Sequence, residues 1–155
     1  MNRRNGPVRV NGRDYAWPEQ PTVLVCIDGS EPAYTEAAVA AGVMPWYAEA
    51  QRRGTLRLAE SVIPSFTNPN NLSIVTGVPP ALHGICGNYF YDRAADAEVM
   101  MNDPRFLRAP TILAGFFEAG ASVAVVTAKD KLRLLLGHGL DCGSGRAVCF
   151  SSEKA

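Results

Sequence analysis

The sequence has a formal net charge of zero, no long apolar run and only four cysteines. Its 15 basic and 15 acidic residues cancel, so there is no electrostatic basis for binding nucleic acid or an anionic membrane. No stretch approaches the roughly 18 apolar residues that cross a bilayer, and the first 21 residues lack the apolar core of a secretory signal. We therefore predict no nucleic-acid partner and no membrane association.

Several motifs of metal and nucleotide sites are also missing. The histidines show no HExxH spacing, and neither a GxGxxG loop nor a Walker A lysine motif is present. The four cysteines form no CxxC pair, which favours a reducing, cytoplasmic compartment over a disulfide framework. Cys26 lies inside an apolar run and is predicted to be a buried thiol.

The sequence does contain enough apolar residues to form the core of one domain, since 47% of its 155 residues are hydrophobic. Short β-branched runs predict strands at residues 22–27, 56–62, 122–127 and 147–150. Helical patterns predict helices at 33–41, 44–53, between Thr67 and Gly77, at 111–119 and at 130–136. This alternation predicts an α/β three-layer sandwich with a largely parallel sheet.

The domain is expected to span residues 22–155, preceded by an irregular arm at 1–21. The arm carries four arginines that either lie on the domain surface or face an anionic substrate or a second subunit of a homodimer: Arg3, Arg4, Arg9 and Arg13. Ser30 is predicted to cap the first helix, and residues 78–92 to form an ordered loop rich in glycine, proline and aromatic residues.

Asp28 follows the first predicted strand directly. Ligands of open parallel sheets bind at the carboxyl ends of the strands, and a carboxylate there is a suitable ligand for a divalent metal. The alternative is a structural turn, because Asp28-Gly29 is a common turn pair.

Thr67 stands just before Asn68-Pro69, at a predicted helix N-terminus. Free N–H groups and the helix dipole stabilise negative charge there, as on an alkoxide or a phosphoryl oxygen. The alternative is an ordinary N-cap threonine. A threonine hydroxyl needs activation to act as a nucleophile, and zinc held by Asp28 would supply it by binding Thr67 Oγ.

Other candidate residues lie in loops and at a later strand end. Asn88 offers an amide donor for a phosphoryl oxygen, or is a turn asparagine. Lys129 and Lys131 follow a predicted strand and either pair with an anionic substrate group or are solvated. His83 and His138 flank glycines and are either metal ligands or loop histidines that make hydrogen bonds.

Together, these segments resemble the alkaline phosphatase superfamily and its nucleotide pyrophosphatase/phosphodiesterase branch. The superfamily pattern is carried by the segments 23–29, 64–71, 74–77 and 80–84. With Gly87-Asn88-Tyr89 and residues 127–131, segment 64–71 looks most similar to the phosphonoacetate hydrolase family. The resemblance covers only the front part of that family's length, so we expect this chain to require the remainder of a catalytic domain.

The resemblance implies an activity and a role for each residue. The reaction would be zinc-dependent hydrolysis of the C–P bond of a small phosphonate, phosphonoacetate, to acetate and phosphate. Thr67 would be the nucleophile and, with Asp28, a ligand of one of two zinc ions. Asn88 would bind the phosphonyl oxygen, and Lys129 and Lys131 the substrate carboxylate.

Two alternatives remain at this point. One is a phosphodiesterase or phosphomonoesterase of the same superfamily, which would not need a carboxylate-binding lysine. The other is a non-catalytic α/β binding module, which would not need Thr67. The remaining zinc ligands are expected beyond residue 155, and residues 1–155 alone are expected to be inactive.

Overall fold

A computed structural model describes residues 6–154, and these fall into two compact units. The first unit includes residues 6–22 and 62–154, and the second consists of residues 23–61.

The second unit contains two helices, α1 (Pro32–Ala40) and α2 (Pro45–Arg53). Both begin with proline, which suits the first helical position because its missing N–H would be unpaired there anyway. The backbone turns into α1 at Glu31, and no side chain caps that end, so the prediction that Ser30 caps it is wrong. Both helices agree with the sequence prediction to within a residue or two.

The strands predicted at 22–27 and 56–62 do not form in the described chain. The side chains of Val23, Val25 and Ile27 are 65–83% exposed, and Leu58 is 82% exposed. A buried parallel strand needs neighbouring strands for its N–H and C=O groups and helices over both faces. The apolar composition of these two segments favours a strand, but whether a strand forms depends on those neighbouring strands and helices.

The first unit opens with a hairpin where the sequence predicted an irregular arm. Strand β1 (Val8–Val10) pairs antiparallel with β2 (Arg13–Tyr15), and Asn11 and Gly12 between them both have positive φ. Asn-Gly favours this two-residue turn because both residues tolerate positive φ. Of the arm's arginines, Arg9 pairs with Asp14 across the hairpin, while Arg3 and Arg4 lie outside the described residues.

Two helices and a second hairpin follow. Helix α3 (Thr67–Thr76) ends at Gly77 with φ +69°, and α4 (Pro80–His83) is a single turn. Strands β3 (Tyr89–Asp92) and β4 (Ala97–Met100) pair antiparallel. The predicted loop at 78–92 therefore contains a helix and a strand, which its glycines, prolines and aromatics obscured.

The remainder of this unit is a parallel β/α arrangement that agrees with the prediction. Helix α5 (Ile112–Glu118) leads to β5 (Val123–Thr127), and helix α6 (Asp130–Leu136) leads to β6 (Ala147–Ser151). Strands β5 and β6 are parallel, with Val123 opposite Ala147 and Thr127 opposite Ser151. Of the three two-stranded sheets in the described residues, this one is parallel and two are antiparallel, so a largely parallel sheet is not what they form.

Short 3-10 turns complete the chain at Pro104–Phe106, Cys142–Ser144 and Ser152–Lys154. The core of the first unit lies between α3, α6 and the β5–β6 sheet, and its buried apolar residues are Leu72, Ile85, Met101, Val125, Leu132, Leu135 and Leu136. Within residues 6–154, none of the helices has the length and apolarity that crossing a membrane requires.

Candidate active site

Asp28 lies in the second unit, in a tight turn rather than at the end of a strand. The Ser30 N–H donates to the Ile27 carbonyl at 3.2 Å, and Gly29 between them has φ +75°. Neighbouring Cys26 is exposed, so the prediction of a buried thiol is wrong. Desolvation, and then the negative charge of Asp28, raise the pKa of Cys26 above its ordinary value. All four cysteines are free thiols.

Thr67 is the first residue of α3, as predicted, and is half-buried. Asn68 and Pro69, which follow it, are buried. The Asn68 side chain donates to the Met101 carbonyl at 2.9 Å, which attaches the first turn of α3 to the end of β4. The nucleophile candidate therefore stands at the positive end of a ten-residue helix whose first turn is fixed by buried contacts.

Asn88 contacts the same turn. Its side-chain oxygen accepts the backbone N–H of Asn68 at 3.1 Å, and its own backbone carbonyl accepts the Met101 N–H at 2.8 Å. Because the carboxamide oxygen faces a donor, the amide orientation is fixed, and its NH₂ group is directed elsewhere. The structure thus places Asn88 beside the peptide that joins Thr67 to Asn68. Sequence spacing alone could not show this proximity.

Lys129 and Lys131 lie at the start of α6, beyond the carboxyl end of β5. Lys129 is exposed, and its ammonium is 3.4 Å from the carboxylate of Glu153, so it is not simply solvated. Glu153 also accepts the Asp130 N–H at 2.6 Å. Lys131 is half-buried. Leu72 of α3 and Leu135 of α6 share one buried cluster, so the lysines and Thr67 belong to helices that pack together.

Asp130 separates the two lysines and is held in its charged form. Arg133 and Lys154 each approach its carboxylate to 2.7 Å, and the Ser151 hydroxyl donates to it at 3.1 Å. The hydrogen bond from Arg133, then that from Lys154, holds the pKa of Asp130 well below its usual range. The lysines thus flank a carboxylate that is already neutralised by other groups.

The two histidines differ sharply in surroundings. His83 is fully buried at the end of α4, and both of its ring nitrogens are within hydrogen-bond distance of protein groups. Burial lowers the pKa of His83, an effect that the backbone carbonyls of Pro69 and His83 oppose. The interpretation as a hydrogen-bonding histidine therefore describes it better than that of a metal ligand. His138 is exposed.

Within residues 6–154, no group of three or more histidine, cysteine, aspartate or glutamate side chains comes close enough together to hold a metal ion. A zinc site takes about four ligands, of which at least three are usually protein side chains. One carboxylate from Asp28 and one hydroxyl from Thr67 fall short of that number. The described residues therefore do not make a complete zinc site by themselves.

The family follows from a match to the model of type I phosphodiesterase / nucleotide pyrophosphatase, which covers residues 22–134. The chain belongs to this family, within the alkaline phosphatase superfamily. Curated relatives include human and rat ectonucleotide pyrophosphatase/phosphodiesterase family member 1, each 36% identical over 78 residues. That match covers 50% of this chain and 8% of each relative.

Among solved structures, the chain is similar to phosphonoacetate hydrolase from Sinorhizobium meliloti 1021. The complex with phosphonoformate is 67% identical, with a TM-score of 0.91 over 95% of this chain. The complex with phosphonoacetate is 66% identical, with a TM-score of 0.92 over 96%. In both cases this chain spans 36% of the other's length. The resemblance in the sequence and the expected alkaline-phosphatase-like α/β fold are thus confirmed.

Proposed function

We propose that this chain is the nucleophile-bearing part of a zinc-dependent hydrolase that splits phosphonoacetate into acetate and phosphate. The observation that carries the proposal is the match of at least 95% of the chain, at 66–67% identity, to a phosphonoacetate hydrolase in complex with phosphonoacetate and phosphonoformate. The position of Thr67 at the head of α3, beside Asn88, supports the same conclusion.

In the proposed reaction, Thr67 Oγ loses its proton and attacks phosphorus, and the C–P bond breaks. The bonding pair passes to the methylene carbon, where the adjacent carboxylate delocalises it, and a proton converts this carbanion to acetate. Water then cleaves the Thr67–phosphoryl bond, which releases phosphate and restores the hydroxyl. The sum is phosphonoacetate plus water to acetate plus phosphate, so atoms balance with no further reactant.

The remaining side chains would act where charge develops. The Asn88 NH₂ group, with its carbonyl end fixed by Asn68, would donate to a phosphonyl oxygen. Lys129 and Lys131 would face the substrate carboxylate, whose charge grows as the carbanion forms. For Lys129 this means exchanging the carboxylate of Glu153 for that of the substrate.

Two zinc ions belong to the proposed complete enzyme, with Asp28 and Thr67 among their ligands. When bound, zinc supplies Lewis-acid stabilisation of negative charge on oxygen. The other ligands must come from residues other than those described, as must the elements that would complete a three-layer sandwich. Free thiols at all four cysteines support the cytoplasm as the compartment. A homodimer remains a prediction.

A second candidate, a phosphodiesterase, is favoured by the 36% identity to ectonucleotide pyrophosphatase/phosphodiesterase family member 1. The two candidates differ in leaving group, since a diester releases an alkoxide and needs no partner for a carboxylate. A panel of phosphonoacetate, a nucleotide diester and a simple phosphate monoester distinguishes them. Release of phosphate from phosphonoacetate, with little turnover of the diester, is the expected result.

The test uses the complete enzyme in two forms. One is the native protein purified with its zinc, and the other is a chimera in which residues 6–154 replace the matching 36% of the Sinorhizobium meliloti enzyme. Thr67→Ala is expected to lower phosphate release by about 10³-fold or more, whereas Thr67→Ser keeps a hydroxyl and retains partial activity. Residues 1–155 alone are expected to bind little zinc and release no phosphate. Full activity of Thr67→Ala would refute the nucleophile assignment.

A further inference from the structure

His83 is linked to α3 by a short chain of hydrogen bonds. The Ile85 N–H donates to His83 Nδ1 at 3.1 Å, so Nδ1 presents a lone pair and carries no proton. In the neutral ring the proton must therefore be on Nε2, which is 3.0 Å from Ser73 Oγ. The contact with Ile85 thus fixes the tautomer, as a partner on one ring nitrogen usually does.

The series of hydrogen bonds continues in the same direction through Ser73. Its hydroxyl donates to the Pro69 carbonyl at 2.7 Å. A hydroxyl has one proton, so Ser73 Oγ must act as the acceptor toward His83. The result is a one-way series from His83 Nε2–H, through the Ser73 hydroxyl, to the carbonyl of Pro69.

The endpoint of this series is the first turn of α3. Pro69 is buried two residues after Thr67. The same turn is held on another side by Asn88, at the Asn68 N–H, and by Met101, at the Asn68 side chain. Three contacts thus hold the two residues that follow Thr67. Two of them come from Asn88 and Met101, and the third comes from His83 through the side chain of Ser73.

We propose that His83, in its neutral Nε2–H form, is a positioning residue for Thr67 that acts through Ser73 and Pro69. The inference rests on the proposed function, in which Thr67 is the nucleophile. His83 would touch neither substrate nor metal. It would set the direction of the Thr67 hydroxyl by fixing the peptide groups that follow it, and small misplacements of a nucleophile are costly to rate.

Conservative variants separate this role from mere packing. In His83→Gln the amide nitrogen stands near the position of Nε2 and can still donate to Ser73. In His83→Asn the shorter amide can still accept from Ile85 but cannot reach Ser73. Ser73→Ala removes the relay and leaves the histidine in place. His138→Asn, on an exposed loop, is the matched control.

The expected result in the complete enzyme is a drop in kcat of about tenfold to 100-fold for His83→Asn and for Ser73→Ala, with KM for phosphonoacetate unchanged. His83→Gln should recover most of the rate, and His138→Asn should match the wild type. Because both changes break one relay, the double variant His83→Asn/Ser73→Ala should lose no more than either alone. Thermal melting identifies any variant that fails to fold, in which case Ser73→Ala carries the test.

A second readout does not depend on activity. Nitrogen-15 NMR of histidine-labelled enzyme should show His83 as the neutral Nε2–H tautomer at pH 7, and a protonated ring or the Nδ1–H tautomer would overturn the proposal. So would full kcat in both His83→Asn and Ser73→Ala, or losses that add in the double variant, when Thr67→Ala is inactive in the same background. By contrast, an inactive wild type or an active Thr67→Ala variant would refute the proposed function itself.

Discussion

The side-chain oxygen of Asn88 accepts the backbone N–H of Asn68 at 3.1 Å, across 20 residues of sequence. One side chain therefore satisfies the Asn68 N–H at the start of α3 with its oxygen, whereas the proposed contact with a phosphonyl oxygen would use its NH₂ group. These two tasks use different atoms of the same carboxamide, and substitution can separate them.

Asn88→Asp keeps an acceptor for the Asn68 N–H but removes the NH₂ donor. We expect it to retain the melting temperature and lose about 10²-fold to 10³-fold in kcat, the usual cost of one oxyanion donor. Asn88→Ala removes both functions and should also lose about 1–3 kcal/mol of unfolding free energy, because the Asn68 N–H loses its partner. Phosphate release and thermal melting provide the two measurements.

Two results would contradict these roles of Asn88. If Asn88→Asp turns over phosphonoacetate at the wild-type rate, the NH₂ group does not bind the transition state. If Asn88→Ala melts at the wild-type temperature, the contact with Asn68 contributes nothing to stability.

Local signals explain which elements the sequence could predict. Helices α1, α2, α3, α5 and α6 form where expected because periodicity, proline and glycine act within a few residues. The segments at 22–27 and 56–62 have equally good strand composition but form no strand, since pairing depends on distant partners. The sequence does not predict the hairpins for a related reason: three- and four-residue strands carry almost no periodic signal.

The same limit applies to the site. Thr67 was identifiable because the helix start is encoded beside it in Asn68-Pro69. The positions of Asn88 and His83 relative to the helix depend on contacts over 20 and 10 residues, which no spacing motif records. In the sequence, His83 is distinguished only by its neighbour Gly84, and the structure gives the reason for that glycine. Gly84 has φ +87°, and a Cβ there would come within 2.6 Å of the Phe106 carbonyl.

The lysines should distinguish substrates with and without a carboxylate. Lys129→Ala and Lys131→Ala are each expected to lower kcat/KM for phosphonoacetate at least about tenfold, equivalent to about 1.4 kcal/mol. Turnover of a simple phosphate monoester should change little, because it presents no carboxylate. Glu153→Gln is the matched test for Lys129, since it frees the ammonium that Glu153 now pairs with.

Unchanged kcat/KM for phosphonoacetate in both lysine variants would remove them from carboxylate binding. A parallel loss on every substrate would instead indicate damage to the start of α6, where Asp130 and Glu153 also interact.

The core beneath the site can be tested on a single helix. Leu135 of α6 is fully buried in the cluster that contains Leu72, whereas neighbouring Leu134 is 45% exposed. Leu135→Ala should lower the free energy of unfolding by about 2–5 kcal/mol because it leaves a cavity. Leu134→Ala, the same chemical change, should alter the free energy of unfolding by no more than about 0.5 kcal/mol. Urea unfolding of the 155-residue chain measures both, and equal effects would contradict the packing described here.

Burial of His83 also predicts how stability varies with pH. Its pKa in the folded chain lies below the ordinary 6.5, so between the two values the unfolded chain binds more protons than the folded one. The stabilisation is therefore complete above about pH 6.5 and is lost as the pH falls toward the folded pKa, with a slope of at most about 1.4 kcal/mol per pH unit. The pKa values of Glu153 and Asp130 lie below their ordinary values of 4.5 and 3.8, so their contributions to stability are lost in a more acidic range.

Urea unfolding between pH 5 and pH 8 should show the slope due to His83 in the wild type but not in His83→Gln, whose amide does not titrate. A slope of the same size in His83→Gln would assign the effect to another group.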